Sequence, residues 1–234
     1  MYFIAPPSVQ STIIVRGAFV NNTCIRFTNI AKNLGILIDD VSFEGQVNQV
    51  VKSCFAFIKD LYSINMYLTK AHVKSLICSY VFLRIDYCNA LYYGINGCLT
   101  NKLQYVQNAA ARLIQRKFKM PSLEDVYNEM HWLRVKERTV YKILLIAHKS
   151  ITGKAPLALC NMFVPSTHQR LSMVQETRVH SKFGERAFGH IGPKLWNLLP
   201  QKLKAEKNTE TFKKLLKTFM FRDGHSLILR SKIS

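Results

Sequence analysis

The sequence predicts a mainly α-helical protein that opens on a small β-hairpin element. Two observations carry this. The first forty residues hold β-branched runs broken by turn residues, whereas from Val47 onward apolar residues recur at i, i+3, i+4 and i+7. The helical stretches are also punctuated by capping residues at their starts and by Gly or Pro at their ends. These signals divide the chain into a β-rich part over 1–45, a three-helix bundle over 46–120 and a further helical region over 121–234. The last contains a loop-rich stretch over 165–207.

The elements follow in order. "STIIVRGAFVNNTCIRF" breaks at Gly17 and at Asn21-Asn22, which reads as a hairpin. "AKNLGILIDD" reads as one short apolar strand with a Gly inside it, a mark of close backbone approach. Val47, Val50, Val51, Cys54, Phe55, Ile58 and Leu61 form the inner stripe of the first helix. Thr69 caps the next, with Val73, Leu76, Ile77 and Tyr80 on one face, and it runs to about Asp86. After a loop with Gly94 and Gly97, Thr100 caps a third helix whose inner residues are Leu103, Val106, Ala110, Leu113 and Ile114.

Pro121 interrupts the pattern, and Ser122 with Asp125 caps "LEDVYNEMHWL". "VKERTVYKILLIAHKSI" is apolar nearly all round near Ile143–Ala147, so it is buried, and Gly153 and Pro156 end it. Residues 165–192 read as loop with some alternation in "LSMVQETRV". Asn208 or Thr209 caps a final helix with Phe212, Leu215, Leu216 and Phe219 inward and Lys213, Lys214 and Lys217 outward.

Composition narrows the function. The chain has 234 residues, 48% of them hydrophobic, enough to bury a core. Its 33 Lys and Arg against 14 Asp and Glu give a formal charge of +19, which points to a polyanionic partner, nucleic acid first. No apolar run approaches the roughly 20 residues of a membrane helix, and the N-terminus lacks the charge and apolar pattern of a signal peptide. The expectation is an intracellular protein, nuclear or cytoplasmic, that is not secreted and has no membrane partner. Cys24, Cys54, Cys78, Cys88, Cys98 and Cys160 form no metal-type pair and read as buried or half-buried free thiols.

No complete active site is visible. Asp39-Asp40 is the acidic doublet, but its position between a strand and a helix suits a turn or a helix N-terminus as well as a metal site. The histidines share no ligand spacing. The expectation is therefore no catalytic residue, no metal ligand and no cofactor.

The third helix carries more information. Tyr105, Asn108, Arg112, Arg116 and Lys119 fall on one face, opposite the apolar stripe. Cations beside an aromatic and an amide suit a phosphate backbone and a ribose edge. Arg138, Lys142 and Lys149 share a face further on, and Lys213, Lys214 and Lys217 repeat the arrangement. Because Arg112, Arg116 and Lys119 project away from the apolar stripe, replacing them should leave folding nearly intact.

"KNLGILIDDVSFEGQVNQV" resembles the segment that follows the catalytic strands in reverse transcriptases of non-LTR retrotransposons, of the jockey-like and chicken-repeat-like kind. "SYVFLRIDYCNALYYGI", "KLQYVQNAAARLI", "EMHWLRVKERTVYKILLIAHKSITGKAPLALCNMF" and "GPKLWNLLPQKLK" with "TFKKLLKTFMF" resemble, in order, the region downstream of the polymerase. The resemblance implies that the β part is a palm remnant and that Leu34-Gly35 matches the primer grip. It also implies that the helices match the thumb, which holds the RNA template and DNA primer. The family's aromatic–x–Asp–Asp hairpin is missing, as are the fingers and most of the palm. The ligands for the parent enzyme's Mg are therefore absent. The chain is expected to be a non-catalytic nucleic-acid-binding fragment, inactive alone. Two alternatives remain: a helical interaction module with incidental charge, or a partial polymerase that needs a separate palm chain.

Overall fold

The computed structural model describes residues 17–20, 23–26, 28, 30–39, 42–116, 122–163, 174–176, 179, 181 and 184–233. The fold is mainly helical with small antiparallel hairpins at its N-terminal end, as the sequence predicts. β1 (Gly17–Val20) pairs with β2 (Thr23–Arg26), with Val20 opposite Thr23, while Asn21-Asn22, where the sequence predicts the turn, lies outside the described residues. Gly17 is the first residue of β1, and the residues before it lie outside the described residues.

The next segment departs from expectation. "AKNLGILI" is not one strand but a second hairpin, β3 (Ala31–Asn33) and β4 (Ile36–Ile38). Leu34 and Gly35 form its two-residue turn, with φ of 47° and 83°. Positive φ at both central positions matches the turn to the twist of the strands. Gly35 takes that conformation freely, while Leu34 takes it at a cost. Ala31 and Ile36 are buried, and the Leu37 amide donates to Gln46 Oε1 at 2.9 Å, so the hairpin is held onto the first helix.

That helix, α1 (Glu44–Ile64), buries Val47, Val50, Cys54, Ile58 and Leu61 as predicted, while Phe55 is exposed and Val51 half-buried. Asp39 holds its start, accepting from Ser42 Oγ (2.8 Å), the Phe43 amide (2.6 Å) and the Gly45 amide (3.4 Å). Partial burial alone would raise the Asp39 pKa. The hydrogen bonds outweigh it and hold the carboxyl below its usual value.

Thr69 caps α2 (Lys70–Ile77), accepting from the His72 amide. The helical path continues through a π-helical segment (Cys78–Phe82) into α3 (Leu83–Asp86), so the run ends where the sequence places it. Its inner residues are Val73, Ile77, Val81 and Ile85, whereas Leu76 and Tyr80 are exposed. The i+4 row of β-branched residues takes the core, and Tyr80 instead stacks on Phe57 of α1 at the edge. α4 (Gly97–Gln115) starts a turn earlier than predicted. Asn96 caps it by accepting from the Cys98 amide, and Thr100 is buried inside the helix. All five predicted inner residues of α4 are buried.

Two hydrophobic cores result. The first joins β4, α1, α2, α4 and α5 (Glu124–Met130), and takes in Trp132 and Val135. The second joins α6 (Val135–Ile151), α8 (Phe188–Asn197), α9 (Gln201–Lys204) and α10 (Thr209–Ile233). α6 is the shared strut, with Val135 in the first core and Val140 to Ala147 in the second. The short α7 (Leu157–Cys160) follows α6 after Gly153 and Pro156.

The loop prediction over 165–207 needs correction within the described residues, because α8 and α9 lie inside it. Gly189, Gly192 and Pro193 masked a helix whose Ile191, Leu195 and Trp196 are buried. At Gly192 a Cβ would meet the Phe163 ring at 2.8 Å, so the small residue serves packing. Asn208 caps α10, accepting from the Glu210 and Thr211 amides. Cys78 and Cys98 are exposed rather than buried. Cys54 is buried, which pushes its thiol up to about 11.

His148 sits inside the second core, stacked on Phe212 with ring centroids 4.1 Å apart. Its Nε2 donates to the Glu206 carbonyl at 2.9 Å, a carbonyl being only an acceptor, and its Nδ1 has no partner. Burial, mainly, and the charge of Lys154 lower the pKa below the ordinary 6.5, against the opposing effect of Glu206. The unfolded chain then binds the extra proton more readily than the folded one. Stability from this site is full above pH 6.5 and is lost as pH falls toward the depressed folded pKa. Urea midpoints measured across that window should fall on acidification, and His148→Gln should flatten the fall. An unchanged pH profile in the variant would refute the assignment.

Candidate nucleic-acid interface

The predicted binding residues have separate fates. Leu34 stands at the hairpin tip, 84% exposed, and its carbonyl accepts from Tyr87 Oη at 2.6 Å. The Leu34-Gly35 turn is thus pinned to the helical body at the end of α3 rather than left to move alone.

The predicted face of α4 is largely engaged within the protein. Tyr105 is exposed. Asn108 Oδ1 accepts from Gln104 Nε2 (3.0 Å) and from Tyr127 Oη (2.7 Å) of α5. Burial above all, despite nearby cations including Arg112, raises the Tyr127 pKa, so its hydroxyl stays protonated as a donor. Arg112 is half-buried and its Nε has no hydrogen-bond partner.

Arg116 closes the helix in the left-handed region, φ 55°, and its guanidinium donates to the Asn65 carbonyl (2.9 Å) and to the Leu68 carbonyl. These carbonyls end the preceding helical segment, so Arg116 ties two helix ends together. Arg116 is therefore not dispensable for folding, contrary to expectation. Arg116→Gln should cost roughly 1–2 kcal/mol, because it removes two charge-assisted hydrogen bonds at a partly exposed site. A thermal melt within about 0.5 kcal/mol of the parent would show those carbonyls to be solvated equally well. Lys119 lies outside the described residues.

The cations of α6 and α10 are brought together. Arg138 pairs with Asp86 through Nε (2.8 Å to Oδ1) and a second nitrogen, and lies over the Phe82 ring, 4.5 Å from its centroid. Lys217 of α10 stands near Arg138. Although Lys217 is exposed overall, partial desolvation of its ammonium first, then the charges of Arg138 and Lys74, pull it below its usual pKa. Further along the same seam, Lys213 bonds Glu210 at 2.6 Å. That hydrogen bond and the Lys213 charge hold the Glu210 carboxyl below its usual value, with Lys149 and Lys214 adding to the effect. Lys142 is half-buried on α6 between the two groups in sequence.

Lys74 joins this seam from α2, and sequence reasoning missed it. It shares no helix with the other cations, so no periodic signal marks it. Among the described residues the ion pairs are Arg134 with Glu124, Arg138 with Asp86 and Lys213 with Glu210. Among the described residues, Lys74, Lys149, Lys214 and Lys217 take part in no ion pair.

Asp39 is committed to the start of α1, and Asp40 lies outside the described residues. Among the described residues no group of three or more His, Cys, Asp or Glu converges. Likewise, among them, no helix is long and apolar enough to cross a membrane. No known protein family, characterised protein or solved structure matches this chain.

Proposed function

We propose that this chain grips nucleic acid without acting on it chemically, as the thumb and downstream region of a non-LTR retrotransposon reverse transcriptase. In this reading it holds an RNA template and DNA primer for a palm that lies elsewhere in the polyprotein. The observation that carries the proposal is the seam between α6 and α10. There Lys74 of α2, Lys149 of α6 and Lys214 and Lys217 of α10 gather beside the pair of Lys213 and Glu210 and beside Arg138 held by Asp86.

Like charges repel one another, as the effect of Arg138 and Lys74 on Lys217 shows, and a phosphate backbone relieves that repulsion. Release of the counterions condensed on the nucleic acid supplies the free energy, so binding is independent of sequence. The role of the hairpin is positional. Tyr87 fixes the Leu34-Gly35 turn against the body, which suits a backbone approach to one strand end. The reading is tested by anisotropy titration of the chain with an RNA–DNA hybrid over a range of salt. Binding whose logarithm falls steeply and linearly with the logarithm of salt is expected. Binding that is absent at low salt, or present but indifferent to salt, would instead favour an interaction module with incidental charge.

A further inference from the structure

We infer that the outer edge of α1 and the π-helical run is a stacking platform for an unpaired nucleobase, so that the chain prefers a duplex bearing a single-stranded overhang. This deepens the nucleic-acid reading above and rests on it.

Phe57 and Tyr80 are stacked, with ring centroids 3.9 Å apart and planes 18° from parallel. The Arg84 guanidinium lies 3.9 Å from the same Tyr80 centroid. One ring face has no room for both at that distance, so they cover opposite faces and form a column of ring, ring and guanidinium. Arg84 also donates to Tyr80 Oη at 2.9 Å, which fixes its position. The column is half-exposed, Tyr80 at 39%, and is flanked by exposed Leu76, Leu83 and Tyr87, each three or four residues from the next member of the row.

The chemistry decides the occupant. A column already spaced like stacked bases, ending in a planar cation, accepts a further flat, electron-rich ring at little ordering cost. Residues 70–85 carry Lys70, Lys74 and Arg84 with no carboxylate, and on the α1 side Asp60, three residues after Phe57, is accompanied by Lys59, so cations outnumber acids at this edge and a polyanion is attracted. A base paired within a duplex has no free face to offer, which restricts the site to unpaired nucleotides.

The test uses the full chain, with a hybrid duplex that is either blunt or carries a short single-stranded overhang. The parent should bind the overhang form more tightly. Tyr80→Leu, which keeps apolar bulk but removes the ring, should weaken overhang binding by about 5- to 100-fold, the range for one stacked base. Blunt-duplex affinity and the salt slope should not change. Tyr80→Phe should retain the preference. Arg84→Lys, an edge substitution that keeps charge but removes the plane, should abolish it, which guards against a folding defect in Tyr80→Leu. Equal overhang binding by parent, Tyr80→Leu and Arg84→Lys overturns the platform while blunt-duplex binding leaves the grip intact. Sedimentation showing a parent dimer that Tyr80→Leu dissociates also overturns it, by placing a second copy on this edge. Absence of binding to either duplex overturns the grip and the platform together.

Discussion

Phe212→Ala is expected to destabilise the protein by about 3–5 kcal/mol, the cost of opening a large cavity in a packed core. Phe212 has no exposed surface, stacks on His148 and lies 6.0 Å from the Trp196 ring. Its removal deletes apolar packing and also brings the unpartnered Nδ1 of His148 nearer to water. For a chain of this size the melting temperature should fall by roughly 6–20 °C. The loss should be larger at pH 7 than at pH 5, since below pH 6.5 the parent begins to lose the His148 contribution. A melting temperature within a few degrees of the parent at both pH values would show that the second core does not depend on this stack.

The helical body was readable because its signal is local. Val47, Val50, Cys54, Ile58 and Leu61 are apolar at helical spacing, and the same spacing buries them. The α4 stripe behaves the same way. What failed did so for identifiable reasons. The β3–β4 hairpin has strands of three residues and a Leu where turn chemistry favours Asn or Gly, so the run reads as one strand. α8 carries glycines and a proline that local propensity counts against a helix, yet burial of Ile191, Leu195 and Trp196 overrides propensity. Thr100 and Asn96 are both capping residues, and only the chain path chooses between them.

The candidate interface was only half legible. Helical faces predicted which lysines of α10 point outward, since Lys214 and Lys217 are exposed and Lys213 is half-buried. Sequence could not show that α5 covers the Asn108 face of α4, or that Arg116 would turn back onto carbonyls of residues 65 and 68. Nor could it pair Arg138 with Asp86, which lies 52 positions away. These are consequences of packing between distant segments, and they move the unpaired basic charge from α4 to the α6–α10 seam.

The role of that seam is tested by a single comparison of parent and variant. The parent and a Lys149/Lys213/Lys214/Lys217→Gln variant are titrated with the same RNA–DNA hybrid at several salt concentrations, after melts confirm that both are folded. The substitutions lie on exposed or half-buried surface and should leave stability nearly unchanged. The predicted result is weaker binding at low salt across all sequences, with a log–log slope flatter by roughly 0.7–0.9 for each phosphate no longer neutralised. Parent and variant curves that coincide at every salt concentration would contradict the account, because the cations gathered between α6 and α10 would then be a solvated surface and nothing more.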